Sequence, residues 1–477
     1  MGRRLHVLAL CLLVASGVSQ GESLIGTPNI YFGHLHNHSE LSGAAGTPEQ
    51  AYIDARAAGL DFFGLADHGE QLTADGFARM KAAADAADDP DFFSAFYGFE
   101  WTSGTYGHVA VINPVTFTSA NNSTTDTFSE FMSWLNTYGG VAFLNHPGRY
   151  NTSGMEFEHF TGAYSARIVG MELWNRSGIL YYNSGYTSDS RDRSGHYDEA
   201  LLEGWFIGAG GSEDNHDGTW GEGNYRLAVI SGSNNRQAIN DALSTQCFYS
   251  TLDENLELSF QVDGHEMGSG AAGGSNQVVV KAADRDAEGF TQVEIIRNGY
   301  IVHTEYLSGA TFPTVTCELF TQKGDYLYCK VTQTDGDEAF SSPVFITSDG
   351  PDGPPRADLA VPLDNGPADL NPADDQVTVN TTQPSFQIQL TDFEGIDNDP
   401  PLGPETVSIE GLTSGTDYTF AYGASAGSIT LEPAGAVFGN GTYAITVRGI
   451  SDILGNPMPD TILTVRIDTF IVAPQTF

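Results

Sequence analysis

The sequence predicts an α/β domain, layered or barrel-shaped, followed by two all-β sandwich modules. Between residue 30 and about residue 252, short apolar runs of strand length alternate with helical patterns, the signature of an α/β domain. Beyond residue 252 the helical periodicity stops, and NQVVVKAAD, TQVEIIRNG, YLYCKVTQTDG and PVFITSDG read as antiparallel strands. A length of 477 residues also exceeds one ordinary domain and suggests roughly three.

Taken in order, Arg3 and Arg4 precede an apolar run over residues 5–18 that ends among Ala15, Ser16, Gly17 and Ser19. That is the three-part layout of a secretory signal peptide, assigned to residues 1–20, and the run is short for a bilayer span. Cys11 follows Leu10, where a lipoprotein signal wants a small residue, which argues against lipidation. No later stretch approaches ~18 uninterrupted apolar residues, so no membrane span is expected. Thr47 as N-cap, Pro48 at the first helical position, Gln50 completing a capping box and Gly59 as terminator frame a helix over 51–58. The strand DFFGLADH follows. Similar units recur: a helix over 77–87 then FFSAFYGFE, one over 128–138 then VAFLNHP, and one near 199–202 then GWFIGAGGSEDNH. A helix over 236–243 closes a domain of residues 26–252. A first sandwich over 253–348, a linker rich in Pro, Asp, Gly and Ala over 349–375, and a second sandwich over 376–470 complete the expected organisation.

The 61 acidic against 20 basic residues give a formal charge of −41. Such a field repels nucleic acid and anionic lipid, so neither is an expected partner. The acidity reads as a solvated surface suited to a salty exterior, with calcium sites as the sharper alternative. With the signal, this places the protein outside the cytoplasm: secreted, periplasmic or on the cell surface. Three cysteines follow the signal. An oxidising exterior permits a Cys317–Cys329 bridge across a hairpin-like stretch, leaving Cys247 over.

The ionisable residues of the first domain gather at the C-terminal ends of predicted strands: His36 and His38, Asp67 and His68, Glu100, His146, then Asp214 and His216. In a barrel those ends converge on one face. Residues two apart in an extended segment point the same way, so His36 with His38, and Asp214 with His216, can grip an ion from two sides. His108 joins them if the loop over 102–107 is short. Of nine histidines between residues 30 and 252, six fall at or beside these ends. His34, His159 and His196 are left without a role.

GHLHNHSELSGAAGTPEQAYIDARAAGLDFFGLADHGE, then GFEWTS, HVAVI, NHPG and GSEDNH, resemble the motif series of the polymerase and histidinol phosphatase (PHP) superfamily. The match is nearest to its extracellular CehA/McbA-like hydrolase branch, over about residues 30–348; GTYAITVRGISDILGNPM resembles a bacterial Ig-like module. The resemblance implies a distorted β/α barrel. It also implies that His36, His38, Glu100 and Asp214 bind one metal, and that Glu100 bridges to a second held by His108 and His146. A third would use His68, His216 and an acidic or histidine ligand shortly after the His-x-His. Gly43 stands where an Asp is usual, so the third site is open, with Glu40 as a conceivable substitute. His34 stands where an Asp often precedes the first ligand.

Two divalent ions about 3.5–4 Å apart ionise a shared water near neutrality and polarise an ester oxygen. Mixed nitrogen and oxygen ligands suit zinc, manganese or iron. Asp67, His68 and His216 are the candidates for proton transfer, Asp67 beside His68 as acceptor or supporting partner. The expected activity is metal-dependent hydrolysis of a phosphate ester on a small-molecule or extracellular substrate, with carboxyl or carbamate esters as the alternative. A catalytically silent adhesion or carbohydrate-binding protein is the rival from another class. Arg191 and Arg193, with Tyr181, Tyr182, Tyr186 and Tyr197, are candidates for an anion-accepting pocket, set against ordinary loop packing. GASAG (423–427) and GSGAAG (268–273) match nucleophile-elbow and dinucleotide patterns, but no helix follows either, so both read as turns or loops.

Overall fold

A computed structural model describes residues 23–26, 28–149, 155–162, 164–176, 179–182, 195–348, 355–362, 377–392, 395–424, 427–453 and 455–469. The expected signal peptide, Arg191, Arg193, Tyr186 and Ser425 lie outside the described residues.

The first strands are β1 (Ile30–His34), β2 (Phe62–Leu65), β3 (Ser94–Ser103), β4 (Gly107–Ile112) and β5 (Val141–Asn145). They are followed by β6 (Ile168–Asn175), the short β7 (Ile179–Leu180), β8 (Gly208–Ser212), β9 (Arg226–Ile230) and β10 (Phe248–Thr251). Between them lie α1 (Pro48–Ala57), α2 (Ala74–Ala87), α3 (Phe128–Tyr138), α4 (Gly195–Leu202) and α5 (Arg236–Ser244). Four of the helices start on a side-chain cap. Thr47, Thr73, Thr127 and Asn235 each accept from the backbone N–H three residues on, and Thr127 with Glu130 forms a full capping box. Their inner faces, such as Phe128, Phe131, Met132 and Leu135 of α3, pack on the sheet.

The distorted β/α barrel followed by two separate sandwiches is not the fold. Among the described residues strand accounts for 43 % and helix for 16 %, with five α-helices, and the main sheet is a curled half-barrel. Strand edges give the reason. β1, β2 and β3 run parallel, but β4 turns back on β3, and β5 on β4, antiparallel. β5, β6 and β8 are again parallel. Closure would need β8 to pair with β1, whose free edge is instead taken by antiparallel β9, which in turn pairs with β10. The two meet at their C-terminal ends, where Ser212 Oγ of β8 accepts from His36 N and donates to His36 O, each at 2.9 Å, and the chain beyond pairs directly. Asp214 N donates to His36 O at 2.9 Å, and His38 N to Asn215 O at 3.0 Å.

The sheet then runs on into the next segment, so the first expected sandwich is not a separate body. That segment holds β11 (Leu256–Val262), β12 (His265–Glu266), β13 (Gly270–Ala272), β14 (Gly274–Asp284) and β15 (Phe290–Arg297). It continues with β16 (Tyr300–Ala310), β17 (Thr314–Thr321), β18 (Tyr326–Gln333), β19 (Glu338–Ser341) and β20 (Val344–Ser348). β10 pairs with β19, which pairs with β18, while β11, β12, β14 and β17 make a separate four-stranded sheet. One apolar cluster joins Ile30, Phe32 and Ala228 to Leu258, Val280 and Val331. The hydroxyls of Tyr326 and Tyr328 donate to the buried Asp198 carboxylate of α4.

The last part holds two four-stranded sheets. One comprises β21 (Arg356–Val361), β23 (Phe386–Thr391), β25 (Tyr418–Gly423) and β26 (Ser428–Pro433); the other β22 (Val377–Val379), β24 (Val407–Ile409), β27 (Gly441–Val447) and β28 (Thr461–Ile467). β21 lies within the stretch expected as a linker. Cys247, Cys317 and Cys329 are free thiols; Cys317 is on β17 and Cys329 on β18, in different sheets. Burial pushes the Cys329 thiol up to about 12. No helix among the described residues is long and apolar enough to cross a membrane.

Candidate metal centre

Glu100, near the end of β3, is the hub of the site. Its Oε1 lies 3.2 Å from His36 Nε2, 3.2 Å from His108 Nδ1 and 3.4 Å from His146 Nε2; its Oε2 lies 2.8 Å from His68 Nδ1. A parallel bridge between His68 and Glu100 brings the end of β2 alongside β3. Asp214, carried past β8, stands opposite with Oδ1 3.1 Å from His38 Nε2 and 3.6 Å from His36 Nε2. His36, His38, Glu100, His146 and Asp214 are all at most 3 % exposed, whereas His68 and His216 are partly open to solvent. His146 and Asp214 hold positive φ of 28° and 46°, a region that ordinary side chains disfavour and that persists where packing and function fix it.

Three groups of side chains bring their donor atoms within 4.8 Å of one another here: His36, His38 and Asp214; His36, Glu100 and His146; and His38, His68 and His216. Ligands at about 2.0–2.2 Å from an ion stand roughly 3 Å or a little more apart, the spacing seen here. The electrostatics ask for a cation. Burial pushes the Glu100 and Asp214 carboxyls up, but neighbouring imidazoles, His108 and His36 for Glu100 and His36 and His38 for Asp214, outweigh it and hold both well below the usual range. Burial disfavours charge on His36, yet Glu100, Glu172 and Asp214 raise it well above its ordinary value. His38 is driven down to about 3, chiefly by burial, and stays a neutral imidazole, the form that coordinates metal. The donor set and its charge thus fit divalent ions.

Not every expected residue falls where the motif series implied. His108 touches Glu100, and His38 faces both Asp214 and the His68–His216 pair. Glu40 turns outward to Arg79 at 2.9 Å, so it does not substitute for the missing acid at Gly43. Asp67 is a clamp: its oxygens accept from Ser39 N at 2.7 Å, Ser39 Oγ at 2.8 Å and Ser42 Oγ at 2.5 Å, and Ser42 Oγ lies 3.5 Å from His38 Nδ1. His34 is buried away from the cluster, beside Arg226 and Glu213.

Sequence reasoning missed four residues. Glu172 Oε1 lies 2.8 Å from His36 Nδ1, turning Nε2 toward the cluster, while its Oε2 accepts from His146 N at 2.8 Å. A lone Glu inside the wholly buried run IVGMELWN was the available signal. Asn145 donates to Glu100 Oε1 at 2.8 Å. Arg149 and Arg176 reach the outer oxygen of Asp214, Oδ2, at 2.8 and 3.0 Å. Arg149 follows the NHPG motif and Arg176 follows β6, but nothing in the sequence shows that their side chains turn inward.

No family model matches the chain. An uncharacterized protein of Chlamydia pneumoniae is 24 % identical over 373 residues, 67 % of this chain and 57 % of the relative. An uncharacterized protein of Chlamydia muridarum is 29 % identical over 138 residues, 25 % of this chain and 22 % of the relative. The chain therefore spans about half or less of the length of these curated relatives. Among solved structures, a two-domain protein from Bacteroides vulgatus containing a predicted PHP-like metal-dependent phosphoesterase aligns at 14 % identity over 66 % of this chain and 95 % of its own, with a TM-score of 0.37. An amidohydrolase from Chromobacterium violaceum aligns at 16 % identity over 39 % and 87 %, with a TM-score of 0.25. A pair of titin Ig domains reaches a TM-score of 0.15 at 14 % identity, over 42 % and 91 %. At such TM-scores, what this chain does rests on its own side chains.

Proposed function

We propose that the chain is a metal-dependent hydrolase of anionic esters, phosphate esters first, built around Glu100 as the carboxylate that bridges two divalent ions. The observation that carries this reading is one buried carboxylate approached by four imidazoles within 3.4 Å, His36 and His108 and His146 on one oxygen and His68 on the other. A carboxylate can meet two ions with its two oxygens while neutral imidazoles complete each shell without adding charge. Bound there, zinc, manganese or iron ions supply a water ionised near neutrality and a Lewis acid for the ester oxygen.

The remaining tasks fall to the chain. Glu172 fixes the His36 ring, and Asp67 with Ser39 and Ser42 fixes the segment that carries His36 and His38. Arg149 and Arg176 sit at the rim, where two guanidinium groups suit the equatorial oxygens of a phosphoryl group. With no third ion bound, His68 and His216, the solvent-touched pair, are placed to pass a proton to the departing oxygen. A third ion on His38, His68 and His216 would replace that role with coordination. The motif series from GHLHNH to GSEDNH supports membership of the PHP superfamily in its CehA/McbA-like branch, and residues 1–20 support export.

Metal analysis of the purified mature chain should find at least two divalent ions per molecule. His38→Ala should lower turnover of an aryl phosphate by at least about 100-fold. A chain with no stoichiometric metal, or one whose hydrolysis His38→Ala leaves untouched, would instead fit the silent binding protein.

A further inference from the structure

Two of the three histidines of the first region that the central cluster does not use, His159 and His196, meet around one carboxylate. His196 Nδ1 lies 3.0 Å from Glu199 Oε2 and His159 Nδ1 lies 3.5 Å from Glu199 Oε1, and one donor atom from each residue falls within 4.8 Å of the others. His196 and Glu199, three apart on α4, share a helix face. On its other side the His196 ring presents Nε2 to Glu156 Oε2 at 3.2 Å, and both residues are fully buried. Glu156 Oε1 is buried and accepts no hydrogen bond.

The backbone beneath is unusual as well. Phe157, Glu158, His159 and Phe160 all have positive φ, between 49° and 59°, and none is glycine. Consecutive left-handed residues are disfavoured by contact of Cβ with the carbonyl and persist only where the surroundings hold them. Phe157 and Phe160 anchor the inner side of this turn in the core. His159 stands on its outer side, facing Glu199.

We propose that His159, His196 and Glu199 form a second binding site, distinct from the central cluster, for a divalent ion of the zinc class. Two imidazoles and a carboxylate are a familiar donor set for such an ion. A buried carboxylate behind the other ring nitrogen of a ligating histidine orients such ligands, and Glu156 Oε2 stands in that place, 3.2 Å from His196 Nε2. His159 and Glu199 are partly exposed, leaving a coordination position toward solvent. The site's role is to brace: Glu156 Oε2 also accepts from Gly148 N at 2.7 Å, between His146 and Arg149 of the central cluster. A Cβ on Gly107, whose φ is +83°, would stand 2.8 Å from Glu156 Cγ, so the packing behind this carboxylate is close. Without an ion, Glu156 and Glu199 overcome the burial of His196 and hold it as an imidazolium, raised to about 9. An ion would take the place of that proton at Nδ1.

The test is a count of zinc bound by the metal-stripped full chain after titration with zinc alone and removal of excess. The wild type should hold one more zinc per chain than His159→Ala and one more than Glu199→Gln; the latter keeps the size of the side chain and guards against misfolding. His38→Ala should lower the count independently, so that the losses add in His38→Ala/His159→Ala. If the central cluster held no metal, the difference at His159 would still be one. Equal counts in the wild type, His159→Ala and Glu199→Gln would overturn the site and leave a hydrogen-bonded imidazolium.

Discussion

The two ends of the molecule use their strands in opposite ways. β1, β2, β4, β5 and β6 are buried at every position. In the last part β25 and β28 alternate between covered and exposed residues, as strands with one solvated face do. A strand covered on both sides can direct alternate side chains to an apolar layer and to an interior polar site. The first region therefore keeps His36, His38, Glu100, His146, Glu172 and Asp214 out of water. The last region has an apolar core running from Ala357 to Ile467 and no histidine at all, since none follows His303. Among its described residues the buried charge is Asp452, whose oxygens accept from Asn456 N at 2.8 Å and Asn456 Nδ2 at 2.7 Å. Among the described residues, the clustered candidate metal ligands all lie in the first region.

Core truncation is the strongest way to break that contrast. Ile445 is fully buried and pairs across its sheet with Ile409 and Leu463. Ile445→Ala should cost about 2–5 kcal/mol in the unfolding of the last region, through lost burial and a residual cavity. Calorimetry should show that transition move while hydrolysis below it is unchanged. A matching loss of activity would mean that the last region supports the site. Glu172→Gln is the converse change. It keeps the shape and an acceptor but weakens the charge-assisted bond to His36, and should lower metal affinity or activity by about 10–100-fold with little change in unfolding temperature. Metal titration of the variant checks it; unaltered affinity would remove Glu172 from the supporting role.

The same contrast explains what the sequence displayed. Helix caps are local, so α3 begins and ends where Thr127, Phe128 and Tyr138 place it, and α1 starts on Thr47 and Pro48. The histidines at strand ends were legible because a parallel strand followed by a helix returns its C-terminal end to one face, and His36, His38 and His68 come from such ends. What failed was long-range pairing. No local pattern shows that β9 rather than β8 takes the edge of β1, or that β19 extends the sheet past β10. Glu172, Arg149 and Arg176 escaped for a related reason: their roles depend on which neighbours the closed chain brings to them. Glu40 was the conceivable substitute for the acid that the resemblance implies at Gly43, but the turn at Gly43, with φ +83°, ends a short 3-10 helix that carries Glu40 toward Arg79.

The smallest expected effect lies at the seam between the site-bearing strands and the next segment. Asp253 links β10 to β11 and accepts from Asn255 N at 2.6 Å. Burial, opposed by that bond and aided by Asp284, lifts its carboxyl to about 6. The folded chain therefore binds this proton more tightly than the unfolded chain, whose carboxyl titrates near 3.9. The cost of the charge is absent below about pH 3.9 and complete above about pH 6, so this residue makes stability fall as pH rises through that window. The depressed carboxyls of Glu100 and Asp214 work the other way, stabilising the fold above their unfolded values and losing that contribution as pH falls. Comparison with Asp253→Asn, which keeps an acceptor for Asn255 and removes the charge, isolates the Asp253 component. The variant should gain a little stability at pH 7 and none at pH 3.5, read as a difference in denaturant midpoint. A difference that does not change with pH would show that the seam does not titrate, and would leave the central cluster as the main source of acid sensitivity in this half of the chain.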